Sequence, residues 1–438
     1  MTFSSFYFEE NAKKLNNGEE HLEIININPG VDDDYLIKRM NEINARAKSN
    51  GKDLWVFFDE LNTCDSLVLL TEIFMKKSYN GIKLEENIKL IGACNPYRKE
   101  RKGKKISGLK HPKEQNQLVY LVNKLPQPLM YYVFNFGSID KDDEDKYILS
   151  IISVLFTEDK ILKERTRDII SKCHSYLRKN YDNSVVSLRE ISRFKECYKF
   201  FYEYYEKQNK FLGIQSDVKL IKIKSVILSI YSCYYIRLID ERIKKNFDSE
   251  MNNEFIKLVN YEDKEDNINC NEKAPLISKI KEPLKSDIKK NLEANNISEF
   301  NGFNQLVLIE ENFLLKEIKL DEGIGINKSL RDNIFMLFVA LNTKIPLIII
   351  GKPGSGKSLS AHLIFKVMKG KYSESKFFSL FNSIIQSYFQ GSYSTIPEEV
   401  ENLFEIATGK LKLLIEKNVK KKDLPISMIL FDELGFNV

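Results

Sequence analysis

The run Ile345-Pro346-Leu347-Ile348-Ile349-Ile350-Gly351-Lys352-Pro353-Gly354-Ser355-Gly356-Lys357-Ser358 decides the fold class. It carries an apolar stretch straight into the pattern G-x-x-x-x-G-K-S, and the helical run LSAHLIFKVMK follows over residues 359–369. Strand, glycine-rich loop, helix is the order that a phosphate cradle requires. Residues 346–350 are therefore predicted to be a buried strand. The glycines let backbone N–H groups turn inward, and the helix presents its positive end to an anion. Lys357 can reach the outer phosphates of a nucleotide, and Ser358 can ligate magnesium. ATP with Mg2+ is the expected cofactor pair, held by Gly351, Pro353, Gly354, Ser355, Gly356, Lys357 and Ser358.

Working outward, the apolar run Met428-Ile429-Leu430-Phe431 closes on Asp432-Glu433. An acid at the C-terminal end of a buried strand lies beside the phosphate loop in such sheets. Asp432 is thus expected to hold the metal and Glu433 to polarise the attacking water. The same pattern occurs earlier, as Leu54-Trp55-Val56-Phe57-Phe58 followed by Asp59-Glu60, and a later strand, IKLIGAC, ends at Asn95-Pro96. Asp59 is expected at a metal, and Glu60 and Asn95 at the hydrolytic water; an Asn-Pro pair that merely starts a turn is the plainer reading of Asn95. The first 53 residues contain no G-K-S or G-K-T.

Residues 22–27 and 54–58 read as strands separated by a charged helical run from Asp32 to about Ser49, which makes a βαβ unit. Asn80-Gly81 suits a tight hairpin turn. Alternating strands and helices imply a parallel sheet with covered faces. From about residue 142 to 247 the pattern changes to long periodic segments such as YILSIISVLF, LREISRFKECYKFFYEYYEK and VILSIYSCYYIRLIDERI, which suit a helical subdomain packed beside the sheet. Residues 248–300 are mostly Asn, Asp, Glu and Lys and read as a linker or insertion. After them LVLIEENFLLKEIKL reads as a hairpin and residues 328–343 as an amphipathic helix. The divisions are 1–140, 141–247, 248–300 and 301–438.

With 43% hydrophobic residues, 438 residues can bury more than one core. The 67 Lys and Arg against 62 Asp and Glu leave a charge of +5 without long blocks of one sign, which gives no footprint for nucleic acid. The six cysteines show no C-x-x-C pair, and no apolar run approaches the roughly 20 residues needed to cross a bilayer. A reduced, cytoplasmic protein without a transmembrane segment is expected.

The strings VFFDELNTCDSL (56–67), NGIKLEENIKLIGACNPYR (80–98), QLVYLVNKLPQPLMYYVFNFGS (117–138) and VVSLREISR (185–193), with IPLIIIGKPGSGKSLS, YFQGSYST and ILFDELG, resemble adjacent AAA+ modules of the mysterin-type ring-finger ubiquitin ligases. The resemblance implies an α/β AAA+ P-loop NTPase: a parallel sheet sandwiched by helices, a helical lid, and then the start of a second module. It also implies ATP-driven conformational control within a ubiquitin ligase. The partners would be neighbouring AAA+ modules of a longer chain and ubiquitin machinery acting through regions outside these residues. By position, Asn95 would be a sensor-1 residue and Arg189 a sensor-2 arginine, with Arg193 as the alternative; pairing of Arg189 with a nearby acid stays open. Arg98 is a further candidate, acting toward an adjacent module.

The chain departs from the family in lacking the first module's phosphate loop and a ring-type zinc cluster, and in stopping five residues after Glu433. It is therefore expected to be a fragment, without ligase activity of its own and not hydrolysing alone. Two other classes remain: a non-hydrolysing scaffold stabilised by nucleotide, and a mechanochemical ATPase of the midasin or dynein kind. A water-polarising Glu433 speaks against the scaffold.

Overall fold

The computed structural model describes residues 21–97, 122–137, 139–181, 183–214, 217–259, 303–392, 395–416 and 424–432. The chain divides into two compact units at Ile139 and Asp140.

In the first unit, β1 (Leu22–Asn26), β2 (Leu54–Asp59) and β5 (Ile88–Gly92) form a parallel sheet in the order β1-β2-β5. The register sets Asn26 beside Asp59 and Phe58 beside Gly92. α1 (Asp33–Asn50) makes the parallel crossover. It starts where Asp32 accepts from the Tyr35 N–H at 2.8 Å and ends at Gly51 with φ of 62°. Its buried stripe, Leu36, Met40, Ile43 and Ala47, follows helical spacing and faces the sheet's core cluster. α2 (Leu67–Lys76) leads into the predicted hairpin, β3 (Ser78–Tyr79) and β4 (Ile82–Lys83), in which Asn80 and Gly81 both have positive φ. The predicted βαβ unit is thus present.

The second unit opens with α3 (Lys141–Ser153), α4 (Lys160–Asn180), α5 (Arg189–Leu212), α6 (Val218–Ile230) with a π turn over Tyr231–Tyr235, and α7 (Glu241–Val259). It continues with α8 (Phe303–Ile318), α9 (Lys328–Thr343), α10 (Lys357–Val367), β6 (Ile384–Gln390), α11 (Pro397–Glu416) and β7 (Ile426–Asp432). One core joins the helical region to the residues around the phosphate loop. The aromatic stripe of α5 makes that join: Phe201 stacks on Phe335 at 6.1 Å between ring centroids, Phe200 meets Phe338 at 5.7 Å, and Tyr204 meets Phe377 at 5.8 Å. β6 and β7 pair in parallel from Ile384 beside Ile426 to Gln390 beside Asp432.

Three expectations are corrected. LVLIEENFLLKEIKL is not a hairpin; its residues to Ile318 lie in α8. Leu306, Val307, Glu310, Glu311, Leu314, Leu315 and Ile318 are buried at three- and four-residue spacing. Glu310 is drawn inward because it accepts hydrogen bonds from Tyr204, Tyr205 and Gln208. Residues 346–350 form neither a described strand nor a buried one, since Ile348 is 76% and Ile350 59% exposed. Among the described residues β7 pairs only with β6, and none of them completes a ladder for the run. Finally, α7 passes the polar boundary at 247, because Met251, Phe255 and Leu258 bury one face. Residues 260–300 lie outside the described residues.

Candidate functional site

Residues 352–355 form a turn in which Ser355 N–H donates to the Lys352 carbonyl at 3.2 Å. Pro353 supplies its second residue, and Gly354, at φ of 79°, its third. That is the type II arrangement, which needs a left-handed residue in third place. Gly356, also at φ of 79°, caps α10, and a Cβ there would meet Leu330 of α9 at 3.1 Å. At Gly351 a Cβ would fall 2.5 Å from Ser355 Oγ, so a larger residue there would force the Ser355 side chain to move. Ser355 Oγ is itself buried without a hydrogen-bond partner. The Asn333 side chain of α9 donates to the Ser355 carbonyl at 3.3 Å. One turn of α9 therefore supports the loop from below.

Lys357 donates to the carbonyls of Gly351 and Lys352 at 2.7 and 3.2 Å, which folds its ammonium into the loop. Ser358 Oγ donates to Asp432 Oδ2 at 3.2 Å, although the two are 74 positions apart in sequence. The hydroxyl and the carboxylate expected to share a metal are thus adjacent. Tyr388 of β6 also donates to Asp432 Oδ2, at 3.4 Å. The donor set fits a nucleotide with a hard divalent cation: oxygen ligands on one side, and an ammonium with a helix N-terminus on the other. Close by, Arg331 donates to the buried Glu311 at 3.0 Å. Burial and the neighbouring Asp332 push the Glu311 carboxyl up to about 8, and burial raises that of Asp332.

Glu433 and Arg98 lie outside the described residues. In the first unit, Asp59 ends β2 and Glu60 follows at φ of 55°. Asn95 reaches this end through a clasp: the buried Asn62 amide donates to the Asn95 carbonyl at 2.9 Å and to the Asn123 carbonyl at 3.2 Å. Asn123 returns its backbone N–H to Asn62 and its amide to the Cys64 carbonyl, at 2.7 and 2.9 Å. The end of β2 and the segment that follows β5 are therefore joined, through the backbone of Asn95. Asn62 and Asn123 escaped the sequence reading; the only trace of Asn62 is its place three residues after Asp59, where a buried polar residue must find partners.

Arg189 is exposed at the first turn of α5, in the second unit. Ser187 and Glu190 form a capping box beside it, with Glu190 Oε2 accepting from Ser187 N–H and Oγ at 2.8 Å each. Arg193 and Arg237 both pair with Glu190, at 3.3 and 3.1 Å. Arg193, the alternative sensor, is thus engaged by a neighbouring acid.

Known protein families match this chain in two separate segments. Residues 6–98 match one family model described as RNF213 AAA domain, and residues 323–437 match another. The E3 ubiquitin-protein ligase rnf213-beta of Danio rerio is 25% identical over 452 residues, spanning 95% of this chain and 8% of the relative. E3 ubiquitin-protein ligase RNF213 of Mus musculus and that of Homo sapiens are each 24% identical, over 95% and 98% of this chain and 8% of their own length. The chain thus spans about 8% of the length of the curated relatives it matches. Among the described residues, no helix is long and apolar enough to cross a membrane. Both matched segments are thus similar to RNF213 AAA domains, and their parallel strands and flanking helices fit an AAA+ α/β fold.

Proposed function

We propose that the second unit binds ATP with magnesium at Gly351–Ser358 and Asp432, and that Glu433 orients the hydrolytic water. The observation that carries this reading is the 3.2 Å contact between Ser358 Oγ and Asp432 Oδ2, made by residues that sequence alone assigned to the same metal. Bound magnesium would neutralise charge on the phosphate oxygens. The protein's own part is to hold and orient. The loop's backbone N–H groups and the N-terminus of α10 receive the phosphates. Lys357 exchanges its contacts with the Gly351 and Lys352 carbonyls for phosphate oxygens, and Asn333 keeps the loop in register. In the first unit, Asp59, Glu60 and Asn95 would serve a second nucleotide site.

The relatives' names place such domains in E3 ubiquitin-protein ligases. The proposed role of this chain is nucleotide-driven control of shape within such a ligase. Because α5 packs directly on α9, movement at the loop has a rigid path into the helical region. The test is equilibrium binding of a fluorescent ATP analogue with magnesium to the chain and to Lys357→Ala. Binding strongly weakened by the substitution supports the reading; equal binding, or none by either protein, refutes it. Phosphate release compared with Glu433→Gln then separates hydrolysis from binding.

A further inference from the structure

Asp432 has a partner that lies in neither the phosphate loop nor its own strand. In the β6–β7 register Gln390 stands beside Asp432, so Tyr388, two residues earlier, projects from the same face as Asp432. Its phenol is long enough to reach diagonally across the pair, and the hydroxyl meets Asp432 Oδ2 at 3.4 Å. Ser358 Oγ donates to that same oxygen. Two hydroxyls from different elements therefore converge on one carboxylate oxygen, one from the metal-binding position of the loop and one from a neighbouring strand. Ser387, the residue before Tyr388, is buried on the opposite face, whereas Tyr388 is half exposed.

We infer that Tyr388 is a positioning residue for the divalent cation: its hydroxyl fixes the Asp432 carboxylate against Ser358 and so sets the cation affinity of the nucleotide complex. This rests on the nucleotide-binding reading above and deepens it. A carboxylate at the end of a strand can rotate about two side-chain bonds, and a second donor on Oδ2 removes part of that freedom before the cation arrives. The phosphates are assigned to the loop N–H groups and Lys357, so nucleotide affinity without metal is expected to be independent of the Tyr388 hydroxyl.

The experiment measures binding of the fluorescent ATP analogue first in EDTA and then across a magnesium titration, for the parent chain, Tyr388→Phe, Asp432→Ala and the double variant. Tyr388→Phe keeps the ring and removes only the hydroxyl. The magnesium midpoint is expected to rise about threefold, as suits one hydrogen bond at a half-exposed site, with affinity in EDTA unchanged. In the Asp432→Ala background the tyrosine substitution is expected to add nothing. An unchanged midpoint overturns the inference. So does equal weakening with and without magnesium, which marks a structural role, or a further loss in the Asp432→Ala background. If the parent chain binds no nucleotide in either condition, the nucleotide-binding reading fails first and the inference falls with it.

Discussion

The strands Leu54–Asp59 and Ile426–Asp432 carry one pattern, an apolar run closed by aspartate, and the molecule finishes them differently. β2 is flanked on both edges, by β1 and β5, and its acidic end is clasped by the amides of Asn62 and Asn123. β7 has one neighbour among the described residues, and its acid turns to Ser358 and Tyr388. In the first case amide-to-carbonyl hydrogen bonds lie beyond the strand; in the second, side-chain hydroxyls meet the acid beside the glycine-rich loop. The apolar run makes the strand, and the residues that meet its end decide what the acid can do.

If the two ends belong to units with separate cores, a large cavity in one should leave the other standing. Phe338 meets the rings of Phe200, Tyr204, Phe378 and Phe381 at 5.0 to 6.1 Å. Phe338→Ala is expected to destabilise the second unit by about 3–5 kcal/mol. Trp55, the chain's single tryptophan, lies in β2 and reports on the first unit. Denaturant unfolding followed by circular dichroism should show the helical transition move while Trp55 fluorescence keeps its midpoint. A matching shift in both signals would break the comparison.

Next in size is the contrast between the acids themselves. Lys357→Ala should weaken binding of the ATP analogue by about a hundredfold, as suits loss of charge-assisted contacts to phosphate. Asp59→Asn should leave binding at the second unit as it was. An equal loss from Asp59→Asn would mean that one nucleotide site draws on both strand ends. On the clasped side, Asn62→Ala strands the carbonyls of Asn95 and Asn123 and is expected to cost about 1–3 kcal/mol, read as an earlier Trp55 transition.

These contrasts mark how far the sequence could be read. Periodicity located α1, the hairpin at Asn80-Gly81, and α9 over its full length, because each is set by spacing and by local turn chemistry. Spacing alone failed for α8: two adjacent glutamates inside an apolar run look like a turn until Tyr204, Tyr205 and Arg331 are known to receive them. It failed again at residues 346–350, where an apolar run becomes a strand only if a neighbour completes its ladder. The loop and Asp432 were legible because chemistry restricts the residue types. Asn62, Asn333 and Tyr388 were not, since each earns its role only through a partner distant in the chain.

The smallest expected effect concerns pH, and it sets the helical region against the first sheet. Glu144 of α3 is buried, which by itself raises its pKa. Hydrogen bonds from His174 at 2.7 Å and from both terminal nitrogens of Arg178 at 2.7 Å outweigh burial and hold the carboxyl down at about 2, against an ordinary 4.5. With the folded value depressed, the contribution is fully present above about pH 4.5 and is lost as pH falls from there toward 2. Glu311 acts over another window and with the opposite sign: its folded value near 8 makes the contribution complete below about 4.5 and lost as pH rises toward 8. Below pH 4.5 Glu311 is therefore constant, and Glu144 shares the acid limb with Glu190 and Glu254, whose carboxyls, against the effect of burial, hydrogen bonds and nearby cations also hold below the ordinary value. Glu144→Gln is expected to flatten the acid limb of helical stability by on the order of 1 kcal/mol, allowing for the partial exposure of Arg178. The Trp55 midpoint between pH 5 and 3 should match that of the parent chain. If Glu144→Gln moved Trp55 as far as the helical signal, the sheet and the helices would be unfolding as one body, and the two acid-ended strands could no longer be treated as separate sites.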